Sequence, residues 1–131
     1  MHPVAAGEVI AAPSAAQLDG IAVCLLDVDR EAQALRLAAR GDDPALLGDH
    51  HAFADWMRAH AVDPGHMHHV LTMDGWEAMR WERWTCLEPG DLNWRMHTVV
   101  TSSMSRERVP AEVLSWCHRV LAGKAPVLHA G

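Results

Sequence analysis

The hydrophobic period of the sequence changes at Asp63-Pro64-Gly65, and that change constrains the fold more than any single motif. Upstream, Asp49 to Ala61 (DHHAFADWMRAHA) reads as an amphipathic helix. Asp49 is a good N-cap, and Phe53, Trp56, Met57 and His60 fall on one stripe. Proline disfavours the helical state of the residue before it, so the helix should stop at Asp63. Downstream the period moves toward two: Met67, His69, Leu71 and Met73 alternate with His68, Val70 and Thr72. Asp74-Gly75 is a hairpin signal, and Trp76 to Leu87 should return as a second strand. After the turn Glu88-Pro89-Gly90-Asp91, the residues Leu92, Trp94, Met96, Thr98 and Val100 alternate with Asn93, Arg95, His97, Val99 and Thr101 as a third. The second strand places Trp76 and Trp84 on one parity and Met79 and Trp81 on the other. That asks for a bulge near Arg80, for burial on both faces, or for a helical reading of WEAMRWERW, and the residues leave all three open.

The flanks carry weaker signals. Ile21 to Val28 is a continuous apolar run that suits a buried strand, and Asp29 to Arg40 suits a helix capped by Asp27 or Asp29 and stopped at Gly41. One longer helix from about Ser14 to Arg40 is the alternative. Pro110 opens a helix ending near Gly123, with Val113, Leu114, Cys117 and Leu121 as its apolar stripe. The fold class expected from these elements is α+β: an antiparallel meander of at least three strands packed against two or three helices. Residues 17–123 form the single domain, between a flexible tail over 1–16 and a second tail over 124–131.

Eleven basic residues against 17 acidic ones give a net charge of −6, which argues against a general polyanion binder. Three cysteines (Cys24, Cys86 and Cys117) form no CxxC pair and cannot all be bridged within one chain, so a reducing cytoplasm is the expected compartment. The longest strongly apolar run, Ile21 to Leu26, is far short of the ~20 residues of a membrane span. The first residues also lack the basic, then apolar, pattern of a signal peptide. No GxSxG, P-loop or GxGxxG motif is present, and neighbours on a helix point about 100° apart, so Cys117-His118 is no nucleophile pair. An enzyme therefore has little local support.

Ten His and six Trp beside one Phe and no Tyr set the remaining candidates, although GC-rich codons alone would give such a mixture. On a strand, His66 and His68 would project from one face in the H-x-H spacing of metal sites, with His97 or His60 as a third ligand for zinc or another divalent transition metal. Asp63 and Asp74, the nearest carboxylates, read as turn formers. Tryptophan and arginine dominate interface hot spots, and Trp76, Arg80, Trp81, Arg83, Trp84, Trp94 and Arg95 crowd onto two neighbouring expected strands. If both sheet faces carry Trp, one of them needs a protein partner or a second copy. Stacking on single-stranded nucleic acid is disfavoured by Glu77, Glu82 and Glu88. The functional expectation is a non-enzymatic accessory or regulatory binding protein acting through a Trp/Arg sheet face. The alternative is a histidine-rich metal-binding protein or metalloenzyme.

Phe53, Trp56, His60, Val62, Asp63 and Pro64, followed by the expected strands, resemble a pattern in small uncharacterised proteins of actinobacteria and their phages. There a helix carrying F-x-x-W-x-x-x-H ends in Gly-Ile-Asp-Pro and leads into two or three strands. The likeness covers about half the chain and departs from the pattern at Ala61, where glycine is common. It implies a compact helix-plus-meander unit and a GC-rich host, but no activity; encoding by a phage or mobile element belongs to the functional expectation of an accessory protein.

Overall fold

The computed structural model describes residues 5–131. The first element, α1 (Ala6–Ala11), is a short helix of small and apolar residues, followed by a 3-10 turn at Pro13–Gln17. Next come strand β1 (Cys24–Asp27) and helix α2 (Arg30–Arg40). Asp29 caps α2 by accepting from the Ala32 amide at 2.8 Å, and Gly41 ends it at φ 86°. Residues 17–40 thus take the strand-then-helix alternative. A proline-led turn at Pro44–Leu46 opens α3 (Leu47–Val62). One helical turn, α4 (His69–Thr72), a 3-10 turn at Trp81–Arg83, strand β2 (His97–Val100) and α5 (Arg108–Leu121) complete the order.

The expected antiparallel meander of three strands is not formed. β1 and β2 make a two-stranded parallel sheet, with Cys24 opposite His97 and Asp27 opposite Val100. A separate antiparallel bridge joins Ile21 to Leu128. The physical reason lies in which side chains between 67 and 87 must be buried. His68 and Leu71, then Trp81 and Trp84, are spaced by three and turn inward together only on helical turns. Gly75 makes no hairpin: a Cβ there would lie 2.5 Å from Trp81 Cζ2, so its bare backbone is the surface on which that indole rests. The backbone donor of Arg80 goes to Ala11 O at 2.7 Å, and Arg83 Nη1 donates to Ile10 O and Ala12 O at 2.8 and 2.7 Å. The segment expected as a strand instead closes the last carbonyls of α1, which a helix end leaves without partners.

The core sits between α1 and the segment from Trp81 to Met96. Ala6, Ile10, Ala11 and Ala15 pack with Trp84, Trp94, Leu128 and Ala130. The described part of the expected N-terminal tail therefore supplies much of the core, whereas its first four residues lie outside the described ones. Leu128 and Ala130 do the same for the expected C-terminal tail. On α5 the buried residue is Trp116, and Leu114 and Leu121 face outward, so the helix is rotated from the expected stripe by the contact Trp116 makes with β2.

One ion-pair junction fixes the sheet to α3. Arg58 donates to both Asp27 carboxylate oxygens at 2.9 and 2.8 Å and to Asp55 at 3.0 Å. The Arg58 guanidinium holds the Asp27 carboxyl below its ordinary range. Charge-assisted bidentate pairs are the stronger kind of hydrogen bond. Arg58→Ala should cost about 1–3 kcal/mol in urea denaturation, because it strands a partly buried carboxylate, whereas Arg108→Ala, on an exposed helix, should change stability by less than about 0.5 kcal/mol.

Candidate functional site

His60, on the last turn of α3, is 1% exposed and is surrounded by indoles. Trp56 stacks on it at 4.8 Å and 12°, while Trp84 and Trp94 meet it edge-on at 5.2 and 5.1 Å. Trp84 and Trp94 in turn stack at 5.5 Å. The imidazole has a defined task. Its Nε2 accepts the Gly7 amide at 3.3 Å, one of the donors that the first turn of α1 leaves unpaired. That places the proton of the neutral ring on Nδ1, which is buried and has no partner among the described residues. Burial lowers the His60 pKa to about 4.

The same helix end shows why Trp94 belongs here. His60 O would ordinarily accept from the amide of residue 64, but that residue is proline and has no donor. Trp94 Nε1 supplies the missing bond at 2.8 Å. Trp56 Nε1 donates to Met67 O at 3.2 Å and so holds the chain just past the helix.

The residues expected on one Trp/Arg sheet face are therefore divided. Trp84 and Trp94 are core, Trp81 is half-buried against Trp84 at 6.1 Å, and Arg83 is committed to the end of α1. Trp76, Arg80 and Arg95 are exposed. The histidines expected to share a metal are separated too. His66 lies exposed on a turn, His68 has its ring edge-on to Trp84 at 6.3 Å, and His97 lies flat on Trp116 at 5.8 Å. The H-x-H geometry needs a strand, and 66–68 instead form a turn that leads into α4. Among the described residues no three His, Cys, Asp or Glu side chains are grouped as metal ligands.

What the structure does bring together is a surface stripe. Hydrogen bonds from Val70 to Met67, Leu71 to His68, Met73 to His69 and Gly75 to Thr72 wind 67–75 into consecutive tight turns. The inward positions are His68 and Leu71. The outward ones, Met67, Val70, Met73 and then Trp76, recur every three residues and are 49, 50, 74 and 68% exposed. Trp76 also lines a shallow hollow of about 470 Å³ with Pro13, Glu77, Ala78 and Arg80. Met67 starts the stripe at φ 45°, the one non-glycine residue with positive φ among those described. A bulky residue there is strained, and the Trp56 bond to its carbonyl helps to hold it. In sequence this stripe reads equally well as an alternating strand, because Met67 and Met73 are an even number of residues apart. The spacing of three shows only once Val70 and Trp76 are counted with them.

The wider comparisons add no relative. No family model, curated protein or solved structure matches the chain. No helix among the described residues is long and apolar enough to cross a membrane. The stripe is therefore the surface whose chemistry has to speak for itself. It joins two flexible thioethers, a valine and an indole, next to the hollow that Arg80 borders.

Proposed function

We propose that this chain is a non-enzymatic accessory or regulatory binding protein that works in the cytoplasm. Its contact surface is the stripe Met67, Val70, Met73 and Trp76 with Arg80 beside it, in place of the sheet face expected from sequence. The observation that carries the reading is this run of large apolar side chains, all half-exposed or more, on tightly wound backbone. Methionine suits adaptable contact surfaces because its side chain is flexible and polarizable, and Trp and Arg are the residues most enriched at hot spots. The total surface supports a protein partner. The chain exposes 8595 Å², about a quarter more than the ~6,800 Å² of a compact monomer of its size, and a standard interface covers ~800 Å² per partner. The likeness to small actinobacterial and phage proteins fits an accessory role encoded by a phage or mobile element.

The experiment is site-specific photo-crosslinking in the native host, with the photoreactive residue at Val70. One distinct protein should be captured, and the adduct should vanish with Met73→Asp while thermal stability stays unchanged. Against that purified partner, Trp76→Ala should cost about 2 kcal/mol, roughly thirtyfold in Kd by calorimetry. Diffuse labelling, capture of the chain's own copies alone, or an adduct indifferent to Met73→Asp would each overturn the proposal.

A further inference from the structure

A second feature lies on the opposite side of the sheet, at its seam with α5. Asp27 turns toward α3, where Arg58 holds it, so the alternation of a strand turns Cys24 and Leu26 to the other face. Parallel pairing sets Cys24 directly beside His97. The His97 ring lies flat on Trp116 of α5, centroids 5.8 Å apart and planes at 8°. Cys117 is the next residue on that helix. Strand register and ring stacking together bring two half-buried free thiols to one seam, whereas the third cysteine, Cys86, is exposed after the Trp81–Arg83 turn. Burial first, and the neighbouring Cys117 second, push the Cys24 thiol up, so the two sulfurs are close enough to sense each other's charge.

We propose that Cys24 and Cys117 are a redox-reversible dithiol pair whose disulfide ties β1 to α5, with a low-molecular-weight disulfide as oxidant. The Cys117 thiol loses its proton to solvent, and its thiolate attacks one sulfur of the oxidant, giving a mixed disulfide and releasing one small thiolate. Cys24 then loses its proton, attacks the Cys117 sulfur and expels the second small thiolate, which leaves the Cys24-Cys117 bond. The chain gives up two electrons and the oxidant becomes two thiols. In a reducing cytoplasm such a bond is transient and reports oxidant load. It closes a loop of about 90 residues, which restricts the unfolded chain strongly.

The test is incubation of the reduced full chain with oxidised glutathione, read by intact mass and non-reducing peptide mapping. The expected product is a monomer that has lost the mass of two hydrogens, with Cys24 joined to Cys117 and Tm raised by about 10 °C. Cys86→Ser should give the same bridge, and Cys117→Ser should give none. Reaction that stops at glutathione adducts, bridges that run through Cys86, no reaction at all, or a bridge that lowers Tm would overturn the proposal.

Discussion

Trp84→Ala should destabilise the protein by about 3–5 kcal/mol, the range for removing a large aromatic from a packed interior. Against a domain stability of about 5–15 kcal/mol this is a large fraction, and circular dichroism should show the urea midpoint lowered by more than about 1 M. The site has no slack to relax into. Trp84 is fully buried, meets His60, Trp81 and Trp94, and lies so close to Gly7 that a Cβ there would be 2.5 Å from its ring. A paired comparison separates volume from hydrogen bonding. Trp84 Nε1 has no partner among the described residues, so Trp84→Phe loses packing only. Trp94→Phe also removes the donor that replaces the missing Pro64 amide. It should therefore cost about 1–3 kcal/mol more than Trp84→Phe, the penalty for a stranded buried carbonyl. Equal costs would show that His60 O finds another donor.

Acid should weaken the fold well above the pH at which carboxylates titrate. His60 has a folded pKa lowered to about 4, whereas in the unfolded chain it protonates near ~6.5. Between those values the unfolded state binds the extra proton, so stability rises with pH across the window and is lost as pH falls through it. The sign is that of a group kept neutral by its surroundings. Protonation would also destroy the Nε2 acceptor on which the Gly7 amide depends. From pH 7 to 4.5 the loss from this one group should be about 2–3 kcal/mol, measured as the change in urea-unfolding free energy. His60→Gln keeps an acceptor without titrating there, so it should flatten the dependence even if it lowers stability at pH 7. A slope that survives in the variant would assign the acid sensitivity elsewhere. The Asp27 and Asp55 carboxyls, held low by their arginines, act only below this window.

Helices were the legible part of the sequence. α2 starts and stops at its expected capping residues, Asp29 and Gly41. α3 and α5 overlap the stretches expected to be helical, but α3 begins at Leu47, ahead of Asp49, and α5 begins at Arg108 and buries Trp116 in place of the expected stripe. The segment from Met67 to Leu87 reads as strands in the sequence for a physical reason. With Met67, Leu71 and Met73 on one parity and Asp74-Gly75 after them, a period of two and a hairpin were the cheapest local account. The determining contacts are distant: Arg80 and Arg83 with α1, and Trp84 with Gly7. Local periodicity carries no information about a helix end some seventy residues earlier that needs donors. The candidate site shifted for the same reason. Trp84 and Trp94 have the composition of a binding face, but His60 and Pro64 draw them inward, and the outward stripe is left to Met67, Val70, Met73 and Trp76.

The parallel pairing of β1 with β2, together with the antiparallel bridge of Ile21 to Leu128, also sets an order of events on the ribosome. A nascent chain that has exposed α1, β1, α2 and α3 still lacks the indoles that cover α1, the strand that pairs with β1 and the residue that bridges Ile21. None of these contacts is local, and long-range contacts are the slowest to form. The first half of this sequence must therefore wait, with Ile10 and the β1 edge unprotected, until Trp84, Trp94, β2 and Leu128 have emerged. Production at lower temperature or with holding chaperones should raise the soluble yield.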